Sequence, residues 1–147
     1  MSKKIGAQSL PDMNFETFPI EKPGALRRSS TDPMPPNIRE ALLAWYPASL
    51  LDSIQYRVGV AEDASVQSLA MRYSDATAVT AIDTIIFENA WDAQNNVSLW
   101  AHEVKHVEQF HRWGLMGFAR AYVRDHQAVE AEAYDIGAAV KAIHGGG

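Results

Sequence analysis

Leu99-Trp100-Ala101-His102-Glu103-Val104-Lys105-His106-Val107-Glu108-Gln109 carries its apolar residues at Trp100, Val104 and Val107, the spacing of one helical face. On that helix His102 and His106 stand four residues apart. Residues so spaced share a face, roughly 5–6 Å apart, and two imidazoles there can bind one Zn²⁺ at about 2.0–2.1 Å. Glu103 follows His102 round the axis, where it reaches water on the metal without being a ligand. Zinc lowers the pKa of such a water to about 7, so a carboxylate can take its proton at neutral pH. The competing reading is a pair of ordinary surface histidines. The intervening glutamate and the apolar stripe weigh for the metal.

A zinc site needs a third protein ligand. One zinc-peptidase pattern places a glycine three residues and a histidine six residues after the second motif histidine; here those positions are Gln109 and Arg112. His111 misses by one residue, about 100° of helix rotation. The other common solution is a glutamate on a later helix. Glu130 and Glu132 are the candidates, and the apolar stripe of that helix puts Glu132 slightly nearer the core face.

Working outward, the last third is helical. Val97 to Trp113 forms one helix, with Gly114 as its stop. Leu115 to Arg124 forms a second, interrupted at Gly117. Gln127 to Ile143 forms a third, with Val129, Ala133, Ile136, Val140 and Ile143 as its core stripe. Upstream, Asn37 to Tyr46 reads as a helix capped by Asn37 and ended by Pro47. Residues 56–60 read as a strand and 65–73 as a helix. Residues 77–82 and 84–87 are rich in β-branched residues, flank Asp83 and predict two short strands with a tight corner, or one bent strand. The polar run 92–96 reads as a loop. The fold class is α+β: a small β-sheet or hairpin, a motif-bearing helix and a C-terminal ligand helix.

Six of the seven prolines lie within residues 1–36, where no helical or strand period survives. Residues 1–35 therefore read as an extended or disordered arm, and 36–144 as the folded domain. The Arg27-Arg28-Ser29-Ser30-Thr31 run within the arm reads as solvated linker. With 13 Lys and Arg against 18 Asp and Glu the net charge is −5, unsuited to a phosphate backbone, so nucleic acid is excluded as a general partner. The absence of cysteine excludes disulfides, a thiolate zinc site and a cysteine nucleophile. No signal-peptide core and no membrane-spanning run is present, so the expected location is cytoplasmic, with export lacking a cleaved signal left open.

The order of these segments resembles the zinc-peptidase domain family carried by cargo of bacterial extracellular contractile injection systems. The likeness covers residues 35–135. It runs through Pro35-Pro36-Asn37-Ile38-Arg39-Glu40-Ala41-Leu42, Ser68-Leu69-Ala70, Ala78-Val79-Thr80, Ile85-Ile86-Phe87 and the Ala-His-Glu-x-x-His-Val-x-Gln core at 101–109. Lys105 departs from the threonine usual at its place. The resemblance implies a zincin-like minimal metallopeptidase with its third ligand in a Glu-x-x-Ala segment. Glu130-Ala131-Glu132-Ala133 fits with Glu130 as that ligand, ahead of Glu132.

The expected function is a zinc-dependent peptidase acting on peptide or protein: His102, His106 and Glu130 hold Zn²⁺ and Glu103 is the general base. The alternative is a non-catalytic, zinc-containing docking or adaptor domain of a secretion or injection system. His126, Tyr134 and Asp135 are further candidates, to orient a ligand or stabilise an oxyanion. Tyr122 is weighed for the same role, against simple packing. The four tryptophans are expected as core or groove walls.

Overall fold

The computed structural model describes residues 30–59 and 77–144. The N-terminal arm through residue 29, the helix expected over 65–73 and the glycine tail at 145–147 lie outside the described residues. The elements are β1 (Asp32–Pro33), α1 (Pro36–Leu42), α2 (Ala48–Asp52), β2 (Gln55–Val58), β3 (Ala78–Ala81), β4 (Thr84–Phe87), α3 (Ala90–Asn95) and α4 (Val97–His144). The chain is α+β, as expected, with one four-stranded sheet ordered β1-β2-β4-β3. β1 falls within the stretch read as arm: Asp32 pairs with Tyr56, and Met34 is buried in the core.

β2 and β4 run parallel, with Tyr56 beside Ile85, while β3 and β4 form an antiparallel hairpin closed at Ala81 and Thr84. The expected tight corner is therefore the two-residue turn Ile82-Asp83. Such turns demand positive φ, and Ile82 adopts φ 61°, an uncommon conformation for a β-branched residue. The strain is held by packing of Ile82 against the core and by a 3.0 Å bond from the Gln55 amide to the Asp83 carbonyl.

Three local expectations are corrected. α1 stops at Leu42, four residues short of Tyr46, because the chain must swing Tyr46 into the core, where its hydroxyl donates to the Ala101 carbonyl at 2.8 Å. Asn37 does not cap α1: Pro35 stands at the cap, and the Asn37 amide donates to the Gln94 carbonyl at 2.9 Å. Residues 92–95, expected as loop, belong to α3. Asn89 caps it by accepting from the Asp92 amide at 2.9 Å, and Asn96 caps α4 by accepting from the Leu99 amide at 3.1 Å. The same polar residues that suggested a loop are thus the stop and start of consecutive helices.

α4 is three limbs joined at two non-helical residues, Gly114 and Asp125. These are the boundaries the sequence predicts. Gly114 has φ 76° and ψ 168°, a region essentially confined to glycine. Asp125 is extended, and its carboxylate caps the last limb by accepting from the Ala128 amide at 3.1 Å. Gly117 does not interrupt the middle limb; a Cβ there would lie 3.0 Å from the Trp113 Cβ, so glycine admits close approach after the bend. The last limb runs back antiparallel to the first, with Gly137 near the Ser98 carbonyl and Gln109 near Val129.

Two apolar clusters hold this arrangement. In the first, Tyr56, Phe87 and Trp100 pack edge-on or tilted, with Phe87 and Trp100 centroids 4.7 Å apart. In the second, Phe110 and Phe118 stack at 4.0 Å, next to Val79, Ile86, Tyr122 and Val129. The last-limb stripe is buried at Val129, Ala133 and Val140, but Ile143 is exposed because the limb has outrun the core. Trp100 is core as expected; Trp91 is not, being 56 % exposed on α3.

Candidate metal centre

The first limb of α4 sets His102 and His106 on one face with ring centroids 5.1 Å apart. The last limb brings Glu130 opposite them. Its Oε1 lies 3.2 Å from Nε2 of His102 and 3.2 Å from Nε2 of His106. One ligand atom from each of the three residues falls within 4.8 Å of the others, an arrangement that could hold a metal ion. Glu132 faces away from the histidines and accepts from Arg112 at 3.0 Å and from Gln109 at 3.0 Å.

The hydrogen bonding around His106 fits a cation. Gln109 is fully buried, and its amide nitrogen donates to the Val129 carbonyl at 3.0 Å and to Glu132 at 3.0 Å. Its oxygen must therefore face Nδ1 of His106, 2.8 Å away, and Nδ1 is the donor. Without a second proton, Nε2 then presents a lone pair to a carboxylate oxygen, a repulsive contact unless a cation lies between. A proton takes that place in the metal-free protein. Burial pulls the His106 imidazole down, but the hydrogen bond and charge of Glu130, with Glu103 and Gln109 adding to it, outweigh burial and lift it to about 9. For Glu130, burial acts upward, and hydrogen bonds from both histidines overcome it and hold the carboxyl well below its ordinary range. Its second oxygen accepts from the Tyr122 hydroxyl at 3.1 Å.

Glu103 sits on the side of the helix that faces the sheet and is 5 % exposed. The Thr80 hydroxyl of β3 donates to its Oε1 at 2.8 Å. Burial raises the Glu103 carboxyl, against the opposing pull of His102, His106 and Thr80. Phe118 closes one wall, its ring 6.1 Å from that of His106.

The other expected residues are placed differently. Tyr134 is 65 % exposed, yet its ring meets that of His102 edge-on at 4.7 Å. His126 is exposed, with its ring 5.7 Å from that of Tyr122. Asp135, about 140° round the axis from Glu130, is exposed. His111 pairs with Asp83 at 2.6 Å and pins the first limb to the β3–β4 corner. Thr80 and Gln109 were not legible as site residues. Gln109 carried two signals, its place at the end of the 101–109 motif core and its position as a polar residue flanked by Val107 and Phe110 on the inward side of the helix; Thr80 carried none, since its partner is 23 residues away.

A family model described as the eCIS core domain, that of the extracellular contractile injection system, matches residues 33–114, more than half of the chain. The chain belongs to the eCIS core domain family. No curated protein and no solved structure matches it. The eCIS core match takes in β2, β3 and β4, the His102-Glu103-x-x-His106 motif and Gln109. It ends at the Gly114 bend, before Tyr122, Glu130 and Glu132. Among the described residues no helix is long and apolar enough to cross a membrane.

Proposed function

We propose that this eCIS core domain is a zinc-dependent hydrolase of peptides, with β1 through α4 as the working domain and the stretch before β1 as an arm. The observation that carries the reading is the convergence of His102, His106 and Glu130 beside a buried Glu103. His102 and His106 offer Nε2, and Glu130 offers Oε1. A zinc ion bound there would supply Lewis acidity and lower the pKa of water at the site to about 7. Thr80 holds Oε1 of Glu103, so Oε2 is the oxygen that takes the proton and returns it to the leaving amine. Burial favours the protonated form of Glu103, which suits a group that must carry a proton between two steps. Tyr122 binds the second oxygen of Glu130 and leaves Oε1 to the ion. Tyr134 packs its ring against His102 and is open to solvent, at the rim of the site.

A docking or adaptor domain that holds zinc without catalysis is the second reading. It is favoured by the family description, which names an injection-system core and no reaction. Association with such a system also fits a place of action outside the cell that makes it.

The two readings part at Glu103. In Glu103→Gln, zinc content measured by elemental analysis should stay near one ion per chain, while cleavage of denatured protein substrates falls by roughly 10²–10⁴-fold. Zinc-loaded wild type that cleaves nothing across such a screen leaves the docking reading. Wild type that takes up no zinc removes both.

A further inference from the structure

Glu132, the rival of Glu130 for the ligand position, has a different place. It lies at the head of a chain of hydrogen bonds that ends on a ring nitrogen. Arg112 donates to Glu132 Oε1 at 3.0 Å, Gln109 Nε2 donates to the same oxygen at 3.0 Å, and Gln109 Oε1 stands 2.8 Å from His106 Nδ1. A glutamine amide can flip, and a flipped Gln109 would offer N–H to Nδ1 and drive the ring proton to Nε2. Here the flip is blocked, because the buried amide nitrogen already serves two acceptors, Glu132 and the Val129 carbonyl. A flipped amide would set its oxygen against both the Glu132 carboxylate and the Val129 carbonyl, two repulsive contacts at a side chain that is itself fully buried.

We propose that Gln109 is a positioning residue that keeps the His106 proton on Nδ1, and that Glu132, braced by Arg112, keeps Gln109 in that orientation. The inference rests on the metal-site reading for its purpose: the lock leaves Nε2 as the only nitrogen of His106 open to an ion. It ties the chain on both sides of the Gly114 bend into one device. Gln109 and Arg112 come from the first limb, and Glu132 and Val129 from the last, so the nitrogen is presented correctly only when the two limbs are packed. The general cost of losing such outlying support is about 10–100-fold in metal affinity.

The test uses full-length protein with ¹⁵N-labelled histidine, followed by ring-nitrogen spectra with and without zinc and by zinc affinity from chelator competition. Wild type should show a His106 Nδ1–H protected from exchange in both states, and a zinc-dependent shift confined to Nε2. Gln109→Leu should lose the protected Nδ1–H and bind zinc about 10–100-fold more weakly. Glu132→Ala, at a half-exposed position, removes one of the two acceptors that hold the amide and leaves the Val129 carbonyl. It should weaken the protection of Nδ1–H and the zinc affinity together, by less than Gln109→Leu does. A purely structural role would not move the ring-nitrogen signal. If the leucine variant does not fold, Glu132→Ala decides alone: protection and affinity both unchanged there overturn the proposal. So does Gln109→Leu with the proton and affinity unchanged, or zinc on Nδ1. Wild type that binds no zinc would defeat the metal reading, while the metal-free ring spectrum recorded above about pH 9, where His106 has lost its second proton, would still report on the lock.

Discussion

Glu130 and Glu132 differ by two positions and about 200° of rotation, and their surroundings divide them completely. Glu130 meets two imidazoles and a tyrosine hydroxyl; Glu132 meets a guanidinium and an amide. Glu130→Gln removes the only anionic ligand and should weaken zinc binding by orders of magnitude. Glu132→Gln keeps an acceptor for Gln109 and should change it by less than about tenfold. Chelator competition on both variants checks the contrast, and the reverse order would move the ligand to Glu132. The same contacts set a pH dependence in the metal-free protein. His106 is raised on folding from 6.5 to about 9, so its contribution to stability is fully present below the lower value and fades as pH climbs through the higher one. Glu130 is lowered from 4.5, so its contribution is present above that value and fades as pH falls toward its folded value. Thermal melts of chelator-treated protein should therefore drop between about pH 6 and about pH 10, and drop less in Glu130→Gln, which lacks the charged partner.

α4 works as a site only because it is bent. A straight 48-residue helix would carry Glu130 far beyond the histidines. Gly114 supplies the first bend in a backbone region that other residues pay for, and no atom crowds its missing Cβ. Gly114→Ala should thus report backbone strain alone, about 1–3 kcal/mol by urea denaturation. An unchanged midpoint would show that the bend relaxes without glycine. Asp125 makes the second bend by capping, and Asn89 and Asn96 use the same device upstream. These polar residues are individually plain in the sequence. Their reading as loop failed over 92–95 because Asn and Asp favour turns and helix caps for the same reason, a side-chain oxygen that competes for backbone amides.

At the scale of the whole molecule, the sheet and the first limb share one core around Trp100, which is fully buried and donates its indole N–H to the Ala93 carbonyl at 2.8 Å. Trp100→Ala should cost about 3–5 kcal/mol, a large part of the roughly 5–15 kcal/mol that holds a domain of this kind. Chemical denaturation would read the loss, and near-native stability would mean that the core shared by the sheet and the first limb does not rest on Trp100. The sequence by itself determined the α+β class, the three limbs of α4, the hairpin corner and the pairing of His102 with His106. Each of these rests on period, turn chemistry or spacing within a few residues, which local sterics enforce. Only the tertiary structure decided that Glu130 turns inward, that Thr80 holds Glu103 and that Gln109 orients His106. The Glu130–His106, Thr80–Glu103 and Gln109–Val129 contacts behind these roles cross 20 or more residues, and the two that join the limbs depend on the angles at Gly114 and Asp125 that set which face of the last limb meets the first.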